Sequence, residues 1–359
     1  MVLTIENICQ YLLESKLIDL KSIIEGDLLV RDASSRNTNF LVNQFNENGL
    51  KVLIKQPDIT DEDYVKSMEV EAEIYRIIYS DENFEQIRPY LPHFKSYDAQ
   101  NHILIMEQLT GVCRIFDYLF HGRNIPDENM ILLFADSLAA LHNIPLEKTT
   151  SYAIQDAYPW FLDVGLNSYR NHIKETDEVA YNLLIEILEN EKWMQHLRET
   201  RRMWQKKNII HLDLRFTNWM IPFRHEPTAK SPIWLIDWEM AGKGDDAWDI
   251  AFFVGEWISL GMYFKENHPT IHLNVEQIIT QQVNDFLKIY LEKRGFSLEN
   301  KNKFLKRLRR YLPIKILLIA YEMAVDFAED GESPQFHIEA FKFMMQNPLE
   351  IKKKYFYSL

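Results

Sequence analysis

The chain is poor in residues that mark special architectures. Only two cysteines, Cys9 and Cys113, occur in 359 residues. Being far apart, they make neither a disulfide framework nor a metal knuckle, and they suit a reducing compartment. Eleven glycines and 13 prolines are too few for a collagen-like or linker-dominated chain. Positive charge is also scarce: 40 Lys and Arg against 53 Asp and Glu leave a net charge of −13. That balance disfavours nonspecific nucleic-acid binding, which sets cations against phosphates, and favours a neutral or cationic ligand. Long hydrophobic runs are missing too. The longest, Ile314 to Val325, carries Lys315 and Glu322 and is too short and too charged to cross a bilayer. Glu6, Glu14 and Asp19 interrupt the first apolar residues, and no basic segment precedes them, so no signal peptide is expected. There is no fixed-period repeat, no GxxxxGK[ST] loop, no HExxH helix and no GxSxG elbow. Gly242-Lys243-Gly244 begins a dinucleotide fingerprint, but Ala247 ends it and no βαβ unit surrounds it. A cytoplasmic globular protein without membrane or nucleic-acid partners is the expectation.

What the chain does have is apolar mass, 47% of residues, with 21 Phe, 17 Tyr and 8 Trp, enough for packed cores and for rings lining a cleft. Its most informative stretch runs from Asn208 to Asp249. Ile209 and Ile210 lead into the polar turn His211-Leu-Asp-Leu-Arg-Phe-Thr-Asn218. Two β-rich segments follow, Trp219 to Ile221 and Ile233 to Trp238, around a loop with Pro222, Pro227 and Pro232. Pairing of those segments brings Asn218 towards Asp237. With Asp213 they supply two carboxylates and one amide oxygen, hard ligands of the kind Mg²⁺ accepts while it keeps waters and substrate phosphates in its shell. Phosphoryl transfer needs a positioned metal, a positioned hydroxyl and an acceptor for its proton. Each residue alone reads as a turn former; it is their combined spacing that points to this chemistry.

His211-x-Asp213-xxxx-Asn218, Ile236-Asp-Trp-Glu239 and Gly244-Asp-xx-Trp-Asp-Ile-Ala251 resemble the aminoglycoside phosphotransferase and choline kinase group. The resemblance implies a protein-kinase-like α+β fold with a small sheet-bearing lobe, residues 1–108, and a larger helical lobe, residues 109–359. It makes Asp213 the catalytic base, Asn218 and Asp237 the magnesium ligands, and Asp249 a buried anchor for the catalytic loop, with His211 a brace. ATP and Mg²⁺ are the implied cofactors, and a small-molecule hydroxyl, on an amino sugar, aminoglycoside or amino alcohol, the implied acceptor. Two departures stand out: Leu212 where many relatives carry Gly or Asn, and Arg215-Phe216-Thr217 in place of His-Pro-Gly.

Upstream, a helix from Ile5 to Leu17, a strand from Asp27 to Val30 and a polar turn at 31–39 precede Phe40-Leu-Val42. By itself this turn reads as an ordinary hairpin. Beside the downstream motif its SxNxxFxV pattern resembles the family's nucleotide loop and nominates Ser34, Ser35 and Asn37 as phosphate neighbours, although no glycine is present. Lys51-Val-Leu-Ile-Lys55 resembles the kinase VAIK strand. Lys55 then needs a carboxylate from the helix at Tyr64 to Tyr79, and Glu71 is the expected partner, with Glu69 and Glu73 solvated. The strand His102 to Leu109 resembles the hinge that reads adenine, nominating Met106, Glu107 and Leu109.

In the larger part, Asp127 to His142 reads as a helix with His142 structural, and Ile250 to Gly261 as a buried helix. Val275 to Arg294, Phe304 to Arg310 and Pro313 to Asp330 read as further helices. The basic residues Lys301, Lys303, Lys306, Arg307, Arg309 and Arg310 are expected on a solvated face. Glu322 and Asp326, one helical turn apart, either hold a cationic group of the acceptor or form a salt-bridged rim. Two alternatives stand beside the small-molecule kinase. One is a nucleotide-binding pseudoenzyme; the other is a protein kinase, disfavoured because no DFG or APE sequence follows Asp237.

Overall fold

A computed structural model describes the chain apart from residues 35–36, 46–48, 123, 150–151, 165–177, 224–231, 268–271, 327–334 and 358. Five antiparallel strands form the N-terminal sheet: β1 (Leu28–Asp32), β2 (Thr38–Gln44), β3 (Lys51–Gln56), β4 (Phe94–Asp98) and β5 (Ile103–Glu107), in the order β1-β2-β3-β5-β4. Alternation assigns the two faces. Phe40, Val42, Val52, Ile54, Ile103 and Ile105 pack beneath Ile8 and Leu12 of helix α1 (Ile8–Glu14). The expected start at Ile5 is not realised. Asn7 accepts the Thr4 N–H and donates to the Val2 carbonyl, which folds the preceding residues into a turn and leaves Ile5 exposed. A short helix, α2 (Leu20–Ile24), follows, capped by Asp19. The opposite face of the sheet meets α3 (Glu62–Ser80), whose first turn is capped by Asp61 and whose inner stripe is Met68, Glu71, Ala72, Tyr75 and Ile78. That stripe joins Leu104 and Met106 to the core of the remaining chain.

The rest is mainly helical: α4 (Glu128–His142), α5 (Glu178–Glu189), α6 (Glu191–Arg201), α7 (Asp246–Asn267), α8 (His272–Lys293), α9 (Leu298–Asp326), α10 (Gln335–Gln346) and α11 (Pro348–Tyr355). Helix α9 corrects the expected division at Pro313: it runs through the proline without a break. A proline inside a helix costs about 3 kcal/mol. Leu305, Leu308, Leu312, Ile316 and Ile319 form one buried stripe on both sides of it, and each buried aliphatic side chain contributes about 1.5–3 kcal/mol, so packing wins. The basic cluster needs a second correction, because Arg307 is buried against Asp245 and Asp246 rather than solvated.

Between the sheet and these helices lie β6 (Val112–Arg114), β7 (Asn208–Ile210), β8 (Trp219–Pro222), β9 (Trp234–Leu235) and β10 (Gly242–Gly244). β8 and β9 form the expected hairpin in register Trp219↔Leu235, shorter on its second arm than the predicted Ile233 to Trp238. β10 pairs with β7. A Cβ on Gly244 would lie 2.2 Å from Ile210 Cδ1, and one on Gly242 2.5 Å from the Gln155 carbonyl oxygen. Gly242 therefore permits close approach of the backbone at Gln155 and Ala157, and Gly244 leaves room for the Ile210 and Trp204 side chains beside β7. Among the described residues no helix is long and apolar enough to cross a membrane.

Candidate active site

The loop leaving β7 is held from behind by one fully buried carboxylate in the first turn of α7. Asp249 accepts the His211 N–H at 2.8 Å and the Leu212 N–H at 2.9 Å. Its Oδ2 also lies 3.2 Å from His142 Nε2, and since a carboxylate only accepts, that nitrogen donates. The Tyr290 hydroxyl then donates to His142 Nδ1 at 2.8 Å. His211 is a brace as well: Nε2 donates to the Ile236 carbonyl at 3.0 Å, and Nδ1 accepts the Asp213 N–H at 3.3 Å. These bonds hold Leu212 at φ +72°, a left-handed conformation that costs a non-glycine residue about 1–2 kcal/mol. Asp237, at φ +68°, is the other site residue in that region.

Asp213 and Asn218 face each other across the turn. The Asn218 amide nitrogen donates to the Asp213 carbonyl and to its Oδ2, both at 3.0 Å, so that its amide oxygen is the atom that could hold a cation. The Asn218 carbonyl accepts the Ile236 N–H at 2.9 Å, so β8 and β9 carry Asp237 to the neighbouring position. Asp237 Oδ1 lies 3.5 Å from Lys55 Nζ, and Lys55 reaches Glu71 at 2.5 Å. Burial works against the Lys55 ammonium, but Glu71 and then Asp237 outweigh it and hold its pKa above the ordinary lysine value. Lys55 on β3, Glu71 on α3 and Asp237 beyond β9 thus form one run of polar contacts, and the bond from the Ile236 N–H to the Asn218 carbonyl sets the Asp213–Asn218 pair beside it.

The other nominated residues fall less evenly. Ser34 is folded into its own turn: its N–H donates to Asp32, and its hydroxyl oxygen accepts the Asn39 N–H at 3.0 Å. Asn37 is half-buried at the start of β2, and Ser35 lies outside the described residues. Met106 is buried in the main core. The Glu107 N–H is engaged by the His93 carbonyl and the Gln108 N–H by Lys51, whereas the Leu109 N–H makes no backbone hydrogen bond among the described residues. The Glu107 N–H thus belongs to the sheet, and its carbonyl is the backbone group this residue can offer to an adenine edge. Glu322 is not an open carboxylate either: Arg215 Nη2 donates to one oxygen at 2.9 Å, and Lys315 Nζ lies 3.6 Å from the other. The Asp326 side chain lies outside the described residues.

Sequence reasoning noted Arg215 only as a departure and Lys315 only as a break in an apolar run. It passed over Glu256, half-buried and accepting the Phe216 N–H at 3.2 Å. It also passed over Asn39, opposite Lys55 in the β2–β3 register, whose buried amide oxygen has no partner among the described residues. Polar residues inside apolar stripes were the available signal.

Among the described residues no three His, Cys, Asp or Glu side chains cluster as a metal cage. Two carboxylates with one amide oxygen remain a fitting donor set for a hard cation that takes much of its shell from phosphates and water.

The sequence model of the choline/ethanolamine kinase family matches residues 118–335, more than half of the chain. The chain belongs to that family. This kinase is similar in fold to the Plasmodium vivax ethanolamine kinase, with TM-score 0.56, 17% identity, and 93% of this chain and 86% of that one covered. Against the Cryptosporidium parvum choline kinase the TM-score is 0.59 at 16% identity, with 97% of each chain covered. Against aminoglycoside phosphotransferase APH(4)-Ia it is 0.54 at 14% identity, covering 96% of this chain and 99% of that one. At such identities the likeness is one of fold. Comparison with curated protein sequences gives no match. Family membership makes the chain a small-molecule kinase, a class that uses ATP and a divalent cation.

Proposed function

We propose that this kinase transfers the γ-phosphate of ATP to the hydroxyl of a small amino alcohol such as choline or ethanolamine, with Asp213 as general base. The observations that carry the reading are the run Glu71, Lys55, Asp237 and the pair Asn218, Asp213, set side by side by the bond from the Ile236 N–H to the Asn218 carbonyl. Residues 1–108 serve as the nucleotide lobe and 109–359 as the catalytic and acceptor lobe of a cytoplasmic enzyme.

Lys55, fixed by Glu71, is suited to a phosphate oxygen of ATP, and the Leu109 N–H to the adenine edge. Met106 packs behind the base, and Ser34, Ser35 and Asn37 belong to the phosphate-side turn. Asn218 Oδ1 and Asp237 would hold Mg²⁺, which when bound supplies positive charge against the β- and γ-phosphates. The acceptor oxygen attacks the γ-phosphorus, the bond to the β-phosphate oxygen breaks, ADP departs, and the hydroxyl proton passes to Asp213. Because Glu322 is already engaged by Arg215 and Lys315, a cationic acceptor would draw on other groups, and neutral hydroxyl acceptors belong in the same screen.

The test is a phosphate-transfer screen with Mg·ATP over choline, ethanolamine, aminoglycosides and sugars, run beside Asp213→Asn. The variant should lose about 10²–10⁴-fold in turnover, the usual worth of a positioned base, while its melting curve stays in place. Undiminished transfer by the variant would defeat the mechanism.

A further inference from the structure

Beside Asn218, the proposed base is touched by Arg215, two residues further along the loop. Arg215 Nε donates to Asp213 Oδ1 at 3.0 Å, and Asn218 fills Oδ2, so both base oxygens are held from opposite sides. Arg215 Nη2 is in turn fixed by Glu322 Oε1 at 2.9 Å, a residue 107 positions away on α9. Glu322 Oε2 faces Lys315, a lysine fully removed from solvent, whose Nζ has no hydrogen-bond partner among the described residues. That ammonium sits 3.0 Å from the centroid of the Phe252 ring. Room for its stem is tight: a Cβ on Gly255 of α7 would come within 3.0 Å of Lys315 Cγ.

A planar guanidinium with two of its nitrogens in separate carboxylate bonds has little rotational freedom, so its orientation passes to both partners. A buried amine kept without a hydrogen bond is costly. Burial pulls the Lys315 pKa below the ordinary lysine value, and the carboxylates of Glu322 and Glu256 offset only part of that, with Phe252 adding its ring face. The arrangement forms a one-directional chain, from the buried ammonium through a carboxylate and a guanidinium to the reacting carboxylate.

We propose that Arg215 is a positioning residue for Asp213, and that Glu322, drawn inward by Lys315, sets the angle at which Arg215 presents the base to the acceptor hydroxyl. The inference rests on the reading of Asp213 given above. It separates Arg215 from the nucleotide-binding groups: its work is in the chemical step and leaves ATP affinity alone.

The experiment measures Mg·ATP turnover with water as acceptor, and Mg·ADP affinity by titration, for the unaltered enzyme, Arg215→Ala, Arg215→Lys and Glu322→Gln, each with a melting curve. For Arg215→Ala, kcat should fall by about 10²-fold, the scale of an ångström-level misplacement, with Mg·ADP affinity within about twofold of the unaltered enzyme. Added guanidinium should restore part of that loss, which a merely structural defect would not allow. Glu322→Gln should show a smaller fall of about tenfold in kcat of the same kind, and Arg215→Lys should recover only part, since an ammonium cannot span both carboxylates. An unchanged kcat in Arg215→Ala, or a loss of Mg·ADP affinity with kcat intact, overturns the inference. Absence of turnover in the unaltered enzyme defeats the reading of Asp213 and this inference with it, whereas an active enzyme indifferent to Arg215 defeats this inference alone.

Discussion

Two ionic groups are buried between α7 and α9, and they are built on different rules. At the start of α7 every carboxylate oxygen of Asp245 and Asp246 has a donor. Asp245 accepts from Arg307 and the Ala247 N–H on one side and from Tyr311 on the other, while Asp246 takes Arg307 on one oxygen and Arg294 on the other. Further along the same helices lies the Lys315 ammonium, with no hydrogen bond among the described residues and a neighbouring carboxylate 3.6 Å away. The first group is closed. Burial, even beside Arg307, pushes the Asp245 carboxyl up to about 7, so its order depends on that arginine. The second opens towards solvent through Arg215, whose side chain is 38% exposed, and ends on Asp213. The difference teaches that the satisfied buried charges build the platform that carries Asp249, while the incompletely satisfied one lies behind the residues that reach Asp213.

Removing one partner of the closed group should have the largest effect on stability. Arg307→Met leaves two buried carboxylates without their shared cation and should cost about 3–5 kcal/mol in urea unfolding, with turnover per folded molecule retained. A cost below about 1 kcal/mol would erase the contrast between the two groups.

Acid should act next, through a histidine that borders the open group. Ser259 Oγ and His337 Nε2 are 2.8 Å apart, and burial, helped by the charge of Lys315, pulls the His337 imidazole down to about 4 from 6.5. A histidine kept neutral in the folded state stabilises fully above its unfolded pKa and loses that contribution as pH falls through the folded one. Stability should therefore decline between pH 6.5 and about 4, at most by about 1.4 kcal/mol for each unit of separation. His337→Gln should flatten that part of the profile in melts run across this range; an unchanged profile would show that the decline has another source.

Lys315→Met should have the smallest effect. Volume is nearly kept, and one of the freed carboxylates, Glu256, is already pushed towards its neutral form by burial. Stability should change by less than about 1.5 kcal/mol in either direction. A loss as large as that for Arg307→Met would place Lys315 among the structural charges.

Local spacing made much of this molecule legible. The strand from Lys51 to Lys55, the α3 stripe carrying Glu71 and the hairpin between Asn218 and Asp237 are all set by periodicity and turn chemistry within a few residues. What lay hidden depends on distant contacts. Nothing near Arg307 in sequence announces Asp245, 62 positions earlier, and nothing near Arg215 announces Glu322. Pro313 reads locally as a stop, and only burial on both sides of it carries the helix through. Likewise, nothing in the sequence near Glu107 shows that its N–H is taken by the His93 carbonyl, 14 positions earlier.

The central claim is that Asn218 and Asp237 share one divalent ion with the nucleotide while Asp213 stays free to meet the acceptor. Diffraction from crystals grown with Mn²⁺ and ADP tests it most directly, through the anomalous peak of the metal. The peak should lie between Asn218 Oδ1, the Asp237 carboxylate and the diphosphate, with Lys55 on a phosphate oxygen and Asp213 outside the coordination shell. A nucleotide bound with its metal away from Asn218 and Asp237, or a metal bonded directly to Asp213 alone, would contradict the account.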